Sequence, residues 1–333
     1  MDRRSFLRVS AAWGALTALD WKFLPGVIGA KDVYPASRIT WISHTQPGSG
    51  YDIIPRALAP YWTKYIKELA PGCKGGEMLV KNETAAAGRK AYTTIFRAEP
   101  DGYIIGGLDI SFLTDLVTDK IEFDVTKYTY LARFDSSRKL VVTSKNGFKT
   151  WAEALDASKK LPLKIAVGQF GRANHVAGIL MKEAINLNAK FIPTKSTAEN
   201  MSMVIRGDAQ VGVASEDSIS NLLQTQEVRV LLTYDEGMEY RGVESLEKMG
   251  HKDIGDYAAG QRFAVAPPGL PREITNLLIE SLKKTLADKE FQEWAKKSNF
   301  AFTPLYGDDA LKLANKYVQY YQSMEPTLRK YLQ

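Results

Sequence analysis

The chemistry this sequence offers most readily is the capture of an anion. Two loops place glycine between a β-type run and a helix: Thr45-Gln46-Pro47-Gly48-Ser49-Gly50-Tyr51 and Gly168-Gln169-Phe170-Gly171-Arg172. In such a loop the first N–H groups of the helix lack an intrahelical acceptor. Together with the positive end of the helix dipole, they point beyond the strand. Two such loops facing each other across a cleft would grip a carboxylate from both sides. The same loops would also serve as ordinary strand-to-helix connections, and the residues alone leave both readings open.

Other chemistries fail on spacing. Gly48-Ser49-Gly50-Tyr51-Asp52-Ile53 has two glycines of the dinucleotide fingerprint, but Ile53 stands where a third is needed for close helix–strand packing. No phosphate-loop motif and no G-x-S-x-G elbow occurs. The three histidines, His44, His175 and His251, have no H-E-x-x-H spacing. The single cysteine, Cys73, lies in a turn-like Pro-Gly-Cys-Lys-Gly-Gly stretch and reads as an incidental thiol. No cofactor, metal or catalytic residue is therefore expected. His175, at the start of a helix, reads as structural, and Tyr92, Tyr234, Tyr257, Tyr320 and Tyr321 read as packing. An enzyme would need a general acid or base in the cleft, for which His44 is the candidate.

The elements that must position the loops alternate between strand and helix. Strands are predicted at 38–42, 77–81 and 103–107, then at 139–144, 164–167, 191–193 and 211–214. Helices are predicted at 52–68, with Asp52 as N-cap and Pro55 in the first turn, and at 88–98, 150–158, 173–185 and 197–205. Thr150 and Glu153 have capping-box spacing. The tail is read as helical over 273–286 and 309–324. Alternation of this kind favours parallel sheets covered by helices on both faces.

At 333 residues the chain suits two domains, and its 45% hydrophobic and 25% charged residues are ordinary for a globular protein. The net charge of +6 is mildly basic. It is partly due to Arg3, Arg4, Arg8 and Lys22, and no dense basic stripe argues for nucleic acid. Met1-Asp2-Arg3-Arg4-Ser5-Phe6-Leu7-Arg8 has the twin-arginine export pattern. The short apolar run after it is broken by Asp20 and Lys22, and Val27-Ile28-Gly29-Ala30 suits cleavage after Ala30. A periplasmic address is therefore expected.

The chain resembles the substrate-binding proteins of tripartite tricarboxylate transporters, the Bug or TctC-like family, over essentially all of its length beyond residue 30. The family's opening segment is matched by Ile39 to Leu58, with Gly48, Asp52 and Arg56 in register. Val80 to Gly88 resembles V-x-N-x-P-G-A-G-G, and Ala98 to Ile104 resembles A-x-P-D-G-Y-T. Gly171 to Gly178, Ile192 to Ser196, Val204 to Gln210 and Ala266 to Pro271 continue the match.

The resemblance implies a type II periplasmic binding protein: two Rossmann-like α/β domains with crossover hinge strands and a helical C-terminal tail. Domain I would comprise 31–136 plus 233–333 and domain II 137–232, with the hinge near Leu131–Arg133 and Leu231–Thr233. It implies a monomer that binds a small organic anion, a carboxylate above all, without covalent chemistry, and delivers it to a two-component membrane permease. A sensor feeding a receptor kinase is the alternative. Carried over by position, the ligand loops are Gln46 to Asp52, with Ser49, Gly50 and Tyr51, and Gln169 to His175. Ser111 and Ser215 match serines of strand-end loops. Asp52 would orient water and loop amides, since a carboxylate binds another only through a proton or a bridge.

Departures from the family pattern bear on the ligand. His44 and Thr45 replace Pro-Phe, Ala85 and Ala87 replace glycines, and Phe170 and Arg172 replace small polar residues. Arg172, and likewise His44, is expected to grip a ligand carboxylate. Tyr51, Phe170 and Tyr257 favour a ligand with an apolar or aromatic body, while tricarboxylates, dicarboxylates, acidic amino acids and aromatic carboxylates all stay open.

Overall fold

The computed structural model describes residues 33–332, apart from 119–120, 122, 237–239 and 241. The twin-arginine segment and its cleavage site lie outside the described residues.

Two six-stranded sheets organise the chain. The first uses β1 (Ile39–Ser43), β2 (Met78–Asn82), β3 (Ile104–Asp109), β4 (Thr129–Ser137), β11 (Gly260–Ala266) and β12 (Leu305–Tyr306), in the order β12-β4-β11-β3-β1-β2. The second uses β5 (Lys139–Ser144), β6 (Leu163–Ala166), β7 (Ala189–Ile192), β8 (Val211–Ser215), β9 (Val228–Thr233) and β10 (Glu244–Ser245), in the order β10-β9-β5-β8-β6-β7. The layouts correspond. In each, three parallel strands adjoin one antiparallel strand that arrives from the other sheet, β11 in the first and β5 in the second. Both are α/β domains, as the alternating pattern predicts.

The chain crosses between sheets at Arg138, where β4 runs almost directly into β5, and returns between Ser245 and Gly260. Residues 131–133 and 231–233, read from the sequence as hinge positions, lie inside β4 and β9; Ala132, Arg133, Leu232 and Thr233 are paired there with neighbouring strands, while Leu131 and Leu231 fall at register shifts. Beyond residue 232 the second sheet still holds the chain, because β10 pairs with β9 through Glu244 and Ser245.

Burial follows the expected periods. Ile39, Trp41 and Ile42 in β1 are all at most 2% exposed, as a strand covered on both faces requires. Helix α1 (Gly50–Leu69) buries Ile54, Leu58, Trp62 and Ile66, one residue per turn, against α9 (Arg272–Ala287). The Trp62 indole N–H donates to Ser281 Oγ at 2.6 Å, satisfying the polar atom of that buried ring. Helix α1 starts two residues earlier than the sequence predicts, so Ser49 rather than Asp52 is the N-cap and Pro55 lies in the second turn. Pro55 has no N–H to give the Tyr51 carbonyl, and Ser43 Oγ donates to that carbonyl instead, at 3.0 Å.

The other predicted helices appear within one to two residues as α2 (Arg89–Phe96), α4 (Trp151–Lys160), α5 (Ala173–Ala184) and α6 (Thr197–Arg206), joined by a short α3 (Leu113–Val117). Thr150 caps α4 by accepting the Glu153 N–H, while Glu153 returns its carboxylate to the Lys149 N–H. The tail continues past α9 as α10 (Lys289–Lys297), α11 (Asp308–Ser323) and α12 (Glu325–Leu332). Helix α12 reaches the second domain, where Lys330 pairs with Glu183 of α5 at 3.1 Å. Tyr257 stacks flat on Tyr320 at 3.5 Å, the packing role its type suggested.

Candidate functional site

The first glycine loop is organised from within. Gly48 has φ +87°, a conformation that favours glycine, and its N–H donates to Asp52 Oδ2 at 2.9 Å. The other Asp52 oxygen accepts from Arg56 Nε at 2.9 Å and Asn82 Nδ2 at 2.8 Å. Burial alone would raise this carboxyl, but the bonds from Arg56, Gly48 and Asn82 outweigh it and hold the group below its ordinary range. Thus Asp52 orients a loop amide. Replacing Asp52 by alanine strands three donors and should cost about 2 kcal/mol. Urea denaturation would measure it, and a loss below about 0.5 kcal/mol would remove Asp52 as the organiser of the loop.

Gln46 points outward and donates to Thr84 Oγ1 at 3.2 Å. Ser49 Oγ bonds Thr45 Oγ1. Gly50 opens α1 beneath Arg262, whose guanidinium lies 3.4 Å from where a Cβ would be. His44 is buried between Tyr51 and Tyr92, with ring centroids 4.4 and 4.9 Å away. Its Nδ1 has no partner. Burial pushes the ring down to about 4 against the pull of Asp109, so it is neutral near pH 7.

The second loop is held by its histidine. The Gly171 N–H donates to His175 Nδ1 at 3.0 Å, and the ring lies between Phe170 and Phe191. Burial lowers His175 to about 4, which keeps that nitrogen an acceptor. Gln169 and Phe170 are exposed at the rim, Phe170 by 47%.

Arg172 crosses to the first domain. Its guanidinium donates to Asp115 Oδ2 at 2.8 Å and to the Ala87 carbonyl at 2.8 Å. Thr114 Oγ1 of the first domain donates to the Gly171 carbonyl at 2.8 Å alongside. Ala86 and Ala87 have φ +53° and +54°, a left-handed conformation that costs an alanine roughly 1–2 kcal/mol. That turn sets the carbonyl facing Arg172. Around this crossing a cavity of about 460 Å³ is lined by Arg89, Asp115, Phe170, Arg172 and Lys195.

A second bridge, absent from the sequence reading, lies on the opposite side of Tyr51. Arg262 of β11 pairs with Asp135 of β4 at 2.7 Å and with Asp217 of the second domain. Its guanidinium carbon sits 5.6 Å from the Tyr51 ring. Lys139, first in β5, donates to Ser215 Oγ at 2.5 Å. Asp109 ends β3 and accepts the Ser111 N–H at 2.9 Å, while Ser111 Oγ is buried without a partner. Sequence offered one signal for these residues: Asp109, Arg133, Asp135, Lys139 and Arg262 are charges inside otherwise apolar strand runs, and a charge buried in a strand must find a partner.

The arrangement therefore brings His44, Tyr51 and Arg172 toward Asp109, and Ser215 toward Lys139, while Gln46, Gln169 and Phe170 stay at the surface. Tyr92, which its type suggested was packing alone, joins them with an unpartnered hydroxyl.

The family model described as "Tripartite tricarboxylate transporter family receptor" matches residues 69–324. The chain belongs to this receptor family. Solved structures agree with the receptor's fold. The periplasmic binding protein BugD is 19% identical, with 89% of this chain and 98% of that chain covered and a TM-score of 0.73. MatC from Rhodopseudomonas palustris with bound malate is 14% identical over 88% of this chain and all of its own, at a TM-score of 0.72. A further R. palustris protein with adipate is 15% identical over 89% and 98%, at 0.72. These likenesses show a type II binding-protein architecture for the receptor. They also explain its family motifs as scaffold. Gly48, Asp52, Arg56 and Asn82 build one hydrogen-bonded knot. Pro100-Asp101-Gly102-Tyr103 is an Asx turn into β3, with the Tyr103 N–H on Asp101 and Gly102 packed against Tyr34.

Proposed function

We propose that this receptor is a periplasmic solute-binding protein that takes a small organic carboxylate into the cleft between its domains and hands it to a membrane permease, with no covalent chemistry. It would be exported by the twin-arginine route and work as a monomer. The observation that carries the reading is a set of buried polar atoms with unspent bonds where the two domains meet: His44 Nδ1, Tyr92 OH, Ser111 Oγ and Arg262 Nε. Buried polar groups in native proteins are satisfied, and a polar ligand with its waters would satisfy these. Malate and adipate in two neighbours of the same fold point to dicarboxylates as the first class to try.

Domain closure would be the functional motion, with the ligand favouring the closed state. Native mass spectrometry of the freshly purified protein, followed by thermal shift against C4 to C6 dicarboxylates, tests the reading. One saturating stabilisation supports it. No shift across the panel and no co-purified anion overturn it.

Arg172 would act in closure. It already spans the domains, so Arg172→Ala should raise the radius of gyration of the free protein in small-angle scattering and weaken carboxylate binding about tenfold. An unchanged radius and an unchanged dissociation constant together would take Arg172 out of the site.

A further inference from the structure

Among the described residues, Lys139 is a buried ammonium with no carboxylate in ion-pair contact. It is 3% exposed, and its one hydrogen bond goes to Ser215 Oγ, although an ammonium has three N–H groups to give. Four charged groups face it: Asp109 from β3, Asp135 from β4, Asp217 after β8 and Arg262 from β11. Asp135 and Asp217 are engaged by Arg262, and none of the acids comes within 4.0 Å of Lys139 Nζ as an ion pair. The Gly260 backbone lies against the ammonium, which is 3.1 Å from where a Cβ would be. Lys139 also lines a cavity of about 780 Å³ with Asp135, Ser137, Asp217 and Arg262, at the place where the chain crosses between domains.

Asp109, Asp135 and Asp217 act on the ammonium from beyond contact distance and none closes an ion pair with it, so a direct carboxylate position on Lys139 is open, and proteins keep such a position where a ligand supplies the missing partner. We infer that Lys139, flanked by Ser215, is the specificity-determining donor for an anionic group of the ligand at this cavity. The inference rests on the carboxylate-binding reading above and adds to it the end of the site that selects the anion.

Burial holds Lys139 down at about 8, and only the protonated form pairs with a carboxylate. An arriving carboxylate raises that value, so binding takes up a proton above pH 8. The wild-type dissociation constant should then rise about tenfold per pH unit beyond pH 8, until the value in the complex is reached. Calorimetry with a C4 to C6 dicarboxylate panel that includes malate and adipate, run at pH 7.0, 8.5 and 9.5 in buffers of different ionisation enthalpy, reads both quantities. Lys139→Met should bind at least tenfold more weakly at pH 7.0 and show no pH slope. Lys139→Arg, which stays charged, should keep binding at pH 9.5. If the wild type binds without proton uptake, or if Lys139→Met keeps the wild-type affinity and slope, the assignment of Lys139 is wrong and carboxylate binding stands. If no dicarboxylate binds the wild type, both fall together.

Discussion

Replacing Arg262 by methionine lowers the melting temperature by roughly 10 °C, the largest effect expected of any single substitution at the site. The reason is what it leaves behind. Arg262 is 6% exposed and is the ion-pair partner of both Asp135 and Asp217. Burial would lower its proton affinity, but the two carboxylates more than reverse this, and it stays a cation at any accessible pH. Removing it strands two buried carboxylates, and breaking a buried pair from one side costs about 3–5 kcal/mol. The contrast is Lys159–Asp156, a pair of similar length whose side chains are 74% and 72% exposed. Solvent screening makes such a pair worth little. Adding Asp135→Asn and Asp217→Asn to Arg262→Met should recover part of the loss. Scanning calorimetry of the single and triple variants decides the matter. A single variant within about 2 °C of wild type would show that the bridge does not hold the domains together.

Acid weakens the fold steeply between pH 6.5 and 4, and two histidines are responsible. Burial holds His44 and His175 down to about 4 in the folded protein, against an ordinary 6.5 when unfolded. Above pH 6.5 both rings are neutral in either state and cost nothing. As pH falls the unfolded chain takes up protons that the folded chain refuses, and stability drops until the folded value is reached. At pH 4.5 the linkage gives roughly 2–3 kcal/mol for each ring. For His175 the chemistry is visible, since protonating Nδ1 would set an N–H against the Gly171 N–H it now accepts. His175→Asn keeps an acceptor there without a titrating group. Urea unfolding at pH 7 and 4.5 should show a smaller acid loss in this variant by about 2–3 kcal/mol. An equal loss in variant and wild type would mean that His175 is not the group that titrates.

Seven of the twelve described strands (β1–β3 and β5–β8) with the helices between them, the two glycine loops and the family were legible in the sequence because they depend on local period and turn chemistry. Apolar alternation set the sheets, and glycine with an adjacent helix marked Gly48 and Gly171. Helix ends were legible to within about two residues, and α1 shows why: Ser43, six residues before Ser49, takes the carbonyl that Pro55 cannot serve, so the helix can start early.

The roles at the site depended on contacts that no spacing rule carries. Arg172 reads by its type as a ligand grip, and only the structure shows that its guanidinium also meets Asp115 and Ala87 from 57 and 85 residues away. Asp52 and His175 lie in the loops read as ligand loops, and each holds its own loop by accepting a glycine N–H, from Gly48 and Gly171. Lys139, Asp135, Asp217 and Arg262 come from four separate strands and strand ends, and only the crossing of the chain at Arg138 brings them together. A sequence states where a charge is buried in a strand. Which opposite charge reaches it, or whether none does, is decided by how two sheets meet, because the Coulomb interaction depends on distance and burial and not on separation along the chain.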